Sequence, residues 1–457
     1  MKIRTRILPL LAFLAALASC GKEEAKLESL SLNKDSVALV GGETVQLIAM
    51  PKPSGVVISP SWSSSDPAVA TVSASGLVRG VDTGTARITA SALGKTAVCN
   101  VSVQGDSPSA GPAGDGYLDP RDALALPMNS NLIHSLGTQL ARKSNVMQGW
   151  DFTDPAHYYY SQAPANLYSQ YISFVPGPSQ GCSNYMTLER FGHMTQIVAE
   201  KASDGKTYIW CNSNGQAMSD GYGNSLSISR LEYKAGETLS GGYAGDMFIM
   251  SKQYNGKPYV DLQVSVDFDY RRLLVGGRVS GVNTRFHWVY DLDEVLALPL
   301  KDVTLTVSVG GYLDGDGEAR KVTRSFKARD LSDAKLLGHF EVPRGADPTK
   351  TYYYSHQGHA VYGNYVWFYE GEALSDAHPS LAFITVYDYN GKVVIPRTEV
   401  AALKDSDLMR KLGFTYDGSA EAESLKIKDG VLYLGFTGHS SAASSNRIQN
   451  ILKYDLN

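Results

Sequence analysis

Apolar and polar positions alternate in short segments along most of the chain after about residue 145, and one hairpin pattern occurs there five times. In its clearest copy, residues 192–215, an alternating strand turns at Asp204-Gly205 and returns through an aromatic strand around Trp210. Such a unit cannot bury both of its faces alone, so repeated units are expected to stack on one another. Five units arranged radially predict a five-bladed β-propeller; the alternative is a pair of β-sandwiches with unrelated hairpins.

Four of the five copies open with a polar side chain next to a small residue, and the third departs from this pattern with Gln263-Val264. In a propeller the innermost strand of each blade lines the central channel, so these polar residues should converge in a ring near the axis. Such a ring could bind a sugar, a water cluster or an ion. Alternatively, its members could only satisfy one another's hydrogen bonds. The five residues are Gln148, His193, Gln263, Gln357 and Glu423.

A metal site is one further interpretation of this ring. His356 and His359 flank Gln357-Gly358, and together with His193 and Glu423 they could bind a metal if they converged. Residues three apart in a strand point to opposite faces, however, so His356 and His359 cannot both face inward without a bend. We therefore expect no metal site, and no sequence motif calls for a cofactor.

The segment 300–342 between the third and fourth copies predicts an additional hairpin. Its strands are expected around residues 303–309 and 320–326, on either side of an acidic, Gly-rich turn. The turn, Asp314–Glu318, resembles a calcium loop only superficially because it lacks the twelve-residue order of ligands.

Catalytic patterns are weak in this chain. No G-x-S-x-G motif is present, although Ser424 follows Glu423 and Ser355 precedes His356. Two E-x-E pairs, 370/372 and 421/423, could provide the paired acids of a glycosidase, but such pairs are more often solvated. The alternative function is therefore a glycan-cleaving enzyme in which Glu423 and His193 act as acid and base.

Residues 27–104 have a different pattern, in which short alternating segments are separated by Gly-Gly, Pro and Ser-Gly turns. This pattern predicts a β-sandwich. The phrases GETVQL, WSSSDP, SGLV and GTA closely resemble the bacterial Ig-like group 2 domain, which implies a spacer or adhesive module. Trp62 is expected to fill its interior. Residues 105–116 predict a flexible linker, and residues 117–457 a propeller domain with blades from about residue 145.

The N-terminus predicts export and lipidation. The basic segment MKIRTR precedes an apolar run that is too short to span a bilayer, as in a secretory signal peptide over residues 1–19. The sequence LASCG resembles a bacterial lipobox, which implies that Cys20 carries lipid such as palmitate and that residues 20–26 form a tether. The following KEE resembles the export signal of surface lipoproteins in Bacteroidetes. We expect a protein anchored by lipid in the bacterial outer membrane and facing the cell exterior.

Three cysteines remain for the folded protein. Cys99 lies in an alternating strand and is expected to behave as a small buried apolar residue. Cys182 and Cys211 flank the clearest hairpin and could meet, but their spacing does not decide whether they pair. No two cysteines have the spacing of zinc ligands.

Composition narrows the classes of partner. The chain has 457 residues, a net charge of −4, 27 Tyr and 44 Gly. This balance suits an extracellular all-β protein, whereas nucleic-acid-binding proteins are usually basic, so no nucleic-acid partner is expected.

The propeller region also resembles a known group. The phrases FGHMTQIVAE, YIWCNSNG, ISRLEYKAGETL and ESLKIKDGVLYLGF are similar to those of the helveticin J group and its relatives labelled teichoic acid biosynthesis protein C. The resemblance implies a five-bladed propeller that is associated with bacterial surfaces and their glycopolymers. We therefore expect noncatalytic binding of a glycan or envelope polysaccharide. A structural or protein-partner subunit of a surface complex is a further alternative.

Overall fold

The computed structural model is almost entirely β-structure and divides into two compact units, residues 1–108 and 109–457. It describes residues 26–40, 44–54, 56–81, 84–104, 131–137, 140–142, 144–164, 167–177, 180–218, 221–310, 319–345, 352–372, 381–400, 403, 420–439 and 446–455. Cys20 and the Asp314–Glu318 turn lie outside these residues.

The first unit is an Ig-like β-sandwich. Its sheets have the orders β2-β9-β8-β5, β3-β7-β6 and β1-β4. Alternate residues of β8 are buried, as the sequence pattern predicts, and Ile88 and Cys99 are completely buried in the core. Trp62 is half-buried and packs against this core, as expected. The strands are β1 (Ser29–Leu32), β2 (Ser36–Val40), β3 (Thr44–Gln46), β4 (Ala49–Lys52), β5 (Ser61–Ser64), β6 (Ala70–Val72), β7 (Leu77–Gly80), β8 (Gly84–Ala92) and β9 (Lys95–Gln104).

The second unit is a five-bladed β-propeller, which confirms the predicted fold class. Each blade is a sheet of at least four strands. The innermost strands of the five blades are β11, β15, β23, β29 and β33, and neighbouring blades contact one another in a closed ring. Apolar clusters lie between consecutive blades, so each blade buries its faces against its two neighbours.

Blades 1 and 2 contain the strands β11 (Met147–Asp154), β12 (His157–Gln162), β13 (Ser169–Val175), β14 (Asn184–Glu189), β15 (Val198–Lys201), β16 (Thr207–Ser213), β17 (Gln216–Ala217), β18 (Tyr222–Gly223), β19 (Ser227–Glu232), β20 (Thr238–Leu239) and β21 (Asp246–Ile249). Blade 1 has the order β11-β12-β13-β14-β20, and β17 and β18 form a separate ribbon.

Blade 3 has the order β22-β23-β24-β25-β28 and blade 4 the order β29-β30-β31-β32. Their elements and the inserted hairpin are β22 (Gln253–Tyr254), β23 (Lys257–Asp267), β24 (Arg272–Val279), β25 (Thr284–Asp291), α1 (Leu292–Ala297), β26 (Lys301–Gly310), β27 (Ala319–Asp330), a 3₁₀ turn (Leu331–Asp333), β28 (Leu336–Pro343), β29 (Ser355–Tyr362), β30 (Tyr365–Glu372), β31 (Leu381–Asp388) and β32 (Val393–Glu399).

The two ends of the propeller domain are joined in blade 5. Strand β10 (Asn131–Gly137) pairs antiparallel with the last strand, β35 (Arg447–Asp455). Together with β33 (Ala420–Lys428) and β34 (Val431–His439) they form one sheet in the order β10-β35-β34-β33. Backbone hydrogen bonds between the first and last strands thus close the ring.

The predicted extra hairpin is present as β26 and β27. It is inserted between strands of blade 3, yet β27 pairs in parallel with β21 and extends the sheet of blade 2. The aromatic ring of Phe326 packs 4.9 Å from that of Tyr243. This part of the hairpin therefore connects blade 3, into which it is inserted, with blade 2, whose sheet it extends.

All three cysteines among the described residues are free thiols. Cys211 is completely buried between blades 1 and 2, whereas Cys182 packs in the cluster between blades 5 and 1. Within the described ranges, no helix is long and apolar enough to cross a membrane.

Candidate functional site

All five residues of the predicted polar ring line one cavity at the hub, which we call the hub cavity. Its volume is about 430 Å³, and every blade contributes to its wall. Gln148 and His193 are half-buried, whereas Gln263, Gln357 and Glu423 are buried. Its lining residues are Gln148, His193, Thr195, Asp261, Gln263, Arg278, Val282, Asn283, Thr284, Arg285, Arg344, Tyr352, Ser355, His356, Gln357, Glu421 and Glu423.

Backbone irregularities place these side chains. The pairing of the innermost strand with its neighbour is interrupted at Gln148, at Gln357 and at Glu423, which are left without a partner in the ladder. In β23 the interruption lies directly before Gln263. A bulge re-aims the side chain it carries. In each of these four blades, the regular alternation of side-chain directions along the strand is therefore interrupted at or next to the polar residue that lines the cavity.

In two of the copies, the glycine beside the polar residue has a packing role. A Cβ on Gly149 would lie 3.1 Å from the Cα of Gln196 in the next blade. Gly358 has φ +150, and a Cβ there would lie 3.2 Å from the Cα of Ser424. Neighbouring innermost strands thus approach too closely for a larger side chain. The repeated polar-small pair combines a cavity-lining group with close packing of blades.

Charges of both signs surround the hub cavity. Asp261 pairs with Arg285 at 3.3 Å and with Arg278 at 3.5 Å. In blade 5, burial and the neighbouring Glu421 raise the pKa of Glu423 well above its ordinary value. Burial likewise raises the pKa of Glu421, which accepts a hydrogen bond from Nε2 of Gln357 at 3.4 Å. The cavity therefore presents guanidinium donors from blade 3 and carboxyl groups with raised pKa from blade 5.

Several buried polar atoms of the wall have no protein partner. Among the described residues, these include Thr195 Oγ1, Gln263 Oε1 and His356 Nδ1. A buried polar group without a hydrogen bond costs about 1–3 kcal/mol, so these atoms are available to a polar ligand or to water.

Gln196 is a hub residue that the sequence analysis missed. It is completely buried in blade 2, and its Nε2 donates to the carbonyl oxygen of His359 in blade 4. The amide N–H of His359 donates back to Gln196 Oε1 at 3.0 Å. This side chain crosses the hub and forms part of its interior. The repeat pattern could have predicted this residue. Three of the other four copies open on Gln, and Gln196 lies only three residues after His193, the opening residue of its own copy.

The expectation that His356 and His359 face apart is wrong. The bulge at Gln357-Gly358 provides the bend, and Nδ1 of His359 lies 3.3 Å from Nε2 of His356. His287 of β25 joins them from blade 3, and one ring nitrogen from each of the three residues lies within 4.8 Å of the other two. His287 gave no sequence signal, since it is a single histidine in an aromatic strand. We call these three residues the histidine cluster.

The surroundings of the histidine cluster keep its rings neutral. Burial lowers the pKa of His287 to about 3, and the nearby Arg285 acts in the same direction. Burial also lowers the pKa of His356 and of His359 well below the ordinary value. Only His356 of the three lines the hub cavity, so the cluster borders that cavity.

The E-x-E pair of Glu370 and Glu372 does not form a paired acid site. Glu370 is buried and bonded to Arg397, and it accepts from the backbone N–H groups of Tyr353 and Tyr354 at 2.7 and 2.8 Å. Glu372 is exposed. The Glu370 carboxylate is therefore occupied by structural contacts, while Glu421 and Glu423 both face the hub cavity.

The opposite end of the hub has a second cavity of about 500 Å³. Asp267 and Asp269 of blade 3 line it with Lys428 of blade 5. Burial raises the pKa of Asp267 to about 7 and that of Asp269 to about 6.

Fold and site together define a two-domain all-β protein with a bacterial Ig-like domain and a five-bladed propeller. Residues 27–98 match the family of bacterial Ig-like domains, group 2. No curated protein matches the chain. This combination of domains suggests a surface or binding role.

The chain has weak likeness to several solved structures. Hydrazine synthase of Kuenenia stuttgartiensis is 12% identical, with 63% of each chain covered and a TM-score of 0.26. Prolyl oligopeptidase B of Galerina marginata is 13% identical over 81% of this chain and 47% of its own, with a TM-score of 0.24. A quinonprotein alcohol dehydrogenase-like protein of Bacteroides thetaiotaomicron is 10% identical over 80% and 94%, with a TM-score of 0.20. This chain thus spans less than two thirds of the first two relatives.

These likenesses assign no activity to the chain. None of the three is a member of the helveticin J group, so that resemblance remains a prediction.

Proposed function

We propose that the protein is a surface-displayed lipoprotein whose hub cavity binds a glycan or a cell-envelope glycopolymer without cleaving it. The observation that carries this proposal is the convergence of five polar residues from five blades on one cavity. Sugars carry many hydroxyl groups that both donate and accept hydrogen bonds, and amide and carboxyl side chains are suitable partners for them.

The composition of the wall supports the same ligand class. Amides from Gln148, Gln263 and Gln357 can donate and accept, and Arg278, Arg285 and Arg344 provide donors for an acidic sugar or a phosphate. A cavity of about 430 Å³ has room for about one or two sugar units of a longer chain.

Binding is tested with the purified chain on an array of glycans that includes bacterial envelope polymers, followed by calorimetry on the best ligand. We expect Gln148→Ala to weaken binding about five- to tenfold, because one hydrogen bond contributes about 1–1.4 kcal/mol. Gln180, which is exposed and outside the hub cavity, supplies the matched control Gln180→Ala. Absence of binding to any glycan, or equal loss in both variants, would contradict the proposal.

A glycan-cleaving enzyme is the second candidate, because Glu423 combines a raised pKa with a place beside Glu421 in the hub cavity. A carboxyl group that keeps its proton can act as a general acid, and His193 lines the same cavity as a candidate base. The same glycans are therefore checked for released fragments. Release that Glu423→Gln abolishes would favour the enzyme, and release that survives this change would exclude Glu423 as the acid.

A further inference from the structure

The histidine cluster is built from two blades and is independent of the proposed glycan-binding function. His287 comes from β25 of blade 3, whereas His356 and His359 come from β29, the innermost strand of blade 4. Their side chains are at most 6% exposed. Among the residues that the structure describes, neither ring nitrogen of His287 has a hydrogen-bond partner. Uncompensated burial of this kind points to a missing partner for the rings.

We propose that His287, His356 and His359 bind one divalent transition-metal ion of the zinc class between blades 3 and 4. Imidazole nitrogens suit zinc, copper and nickel, whereas magnesium and calcium prefer oxygen ligands.

The distances fit such an ion. Zinc bound to nitrogen at about 2.0 Å in a tetrahedron separates neighbouring ligand nitrogens by about 3.3 Å. The contact between His359 Nδ1 and His356 Nε2 already has that length, 3.3 Å. Since all three ligand atoms lie within 4.8 Å of one another, the third ring needs to move by only about 1–1.5 Å to complete three corners of the tetrahedron.

The fold also reserves space for these rings. Gly276 lies opposite His287 in the sheet, and a Cβ there would collide with the ring of His359. The ring of His287 stacks on Phe340 with centroids 4.9 Å apart and an interplanar angle of 13°. Stacking, the glycine and the bulge at Gly358 thus bring the three rings close together and restrict their orientations before any ion arrives. A hydrogen bond between His356 and His359 would explain why these two buried rings lie close together without an ion. It would not explain the burial of the His287 ring beside them.

Arg285, a cation close to the histidine cluster in the sequence, is paired with an acid. Arg285 lies two residues before His287 and pairs with Asp261 at 3.3 Å, which reduces the repulsion that a dication would experience. The fourth position of a three-histidine zinc site commonly holds water or substrate. Since His356 lines the hub cavity, this cavity is the nearest source of such a ligand.

The test uses the full chain purified without a polyhistidine tag, stripped with chelator and titrated with Zn²⁺ alone in a calorimeter. We expect one ion per chain, and after loading with Co²⁺ we expect the visible absorption bands of a tetrahedral ion. His287→Phe keeps an aromatic ring against Phe340 and should weaken Zn²⁺ binding at least about 100-fold. His356→Gln should do the same, and thermal unfolding verifies that both variants are folded.

His157→Gln and His193→Gln are the matched controls, since His157 is exposed and His193 lines the hub cavity outside the histidine cluster. Both should retain one ion. The proposal is overturned if the wild-type chain binds no Zn²⁺, if it shows no tetrahedral Co²⁺ spectrum, or if the controls lose the ion as readily as the cluster variants. Because no glycan is present, this outcome is separate from the outcome of the glycan assay.

Discussion

Asp267 illustrates how single residues connect the blades of this propeller. Its carboxylate accepts from the N–H groups of Asp269 and Tyr270 at 3.0 Å in its own turn and from Gly363 of blade 4 at 2.8 Å. Burial raises its pKa from 3.8 to about 7, and the charge of Asp269 acts in the same direction. The folded protein therefore holds a proton that the unfolded chain releases at lower pH.

This residue should make stability depend on pH. Since its folded pKa is raised, the stability contributed by the bound proton is complete below about pH 3.8 and is lost as the pH rises through about 7. Relative to Asp267→Asn, the free energy of unfolding of the wild type should fall by up to about 4 kcal/mol across this window.

Urea denaturation at intervals from pH 4.5 to 8 measures the free energy of unfolding of both proteins. A constant difference caused by the amide itself does not matter, because only the change of this free energy with pH is compared. Asp302, which is 90% exposed, supplies the control Asp302→Asn. Parallel curves for the wild type and Asp267→Asn would contradict the assignment.

At the scale of elements, the closure of the ring depends on how blade 1 meets blade 5. The indole N–H of Trp150 in β11 donates to the carbonyl oxygen of Glu423 in β33 at 3.1 Å. The ring passes directly over Gly435 of β34, where a Cβ would collide with it. This contact places the largest side chain of the interface beside the strand that carries a hub-cavity residue, so packing and site geometry are linked here.

Gly435→Ala should destabilise the propeller by about 1–3 kcal/mol, because an added methyl group forces the Trp150 ring or the strand to shift. Thermal and urea unfolding, with tryptophan fluorescence as the probe, measure the effect. Gly223→Ala is the matched control, since no heavy atom of the described residues lies within 4 Å of a Cβ at this position. Equal stability of the two variants would show that the interface tolerates the methyl group.

At the scale of the whole molecule, the combination of an Ig-like unit and a propeller suggests a surface or binding role. The predicted anchor, Cys20, precedes the Ig-like unit by only a few residues. Lipid at this position would attach the chain through the segment that precedes the Ig-like unit.

Replacing Cys20 by Ala should abolish incorporation of labelled palmitate and move the protein from the membrane to the soluble fraction of a lipoprotein-processing bacterial host. Cys182→Ala, a change at a free thiol of the propeller, should retain both the label and membrane association. Lipid incorporation that survives Cys20→Ala would contradict the lipobox. Digestion by protease added to intact cells tests the proposed exterior location.

The sequence by itself determined the Ig-like unit and the five-bladed propeller, because alternation, turns and repetition are local properties of the chain. It also predicted five polar residues that line the hub cavity, since the position of each within its repeat is enough to place it at the hub.

Only the tertiary structure decided how these residues are used. The alternation of the strand predicted that His356 and His359 point to opposite faces. In the structure, a bulge brings them together, and its register depends on the neighbouring strand. His287 reaches them from another blade, and Gln196 crosses to the backbone of His359 over a separation of 163 residues. The pairing of β27 with β21 is equally nonlocal. Contacts between distant segments depend on how blades pack, and that packing leaves no periodic signal in the chain.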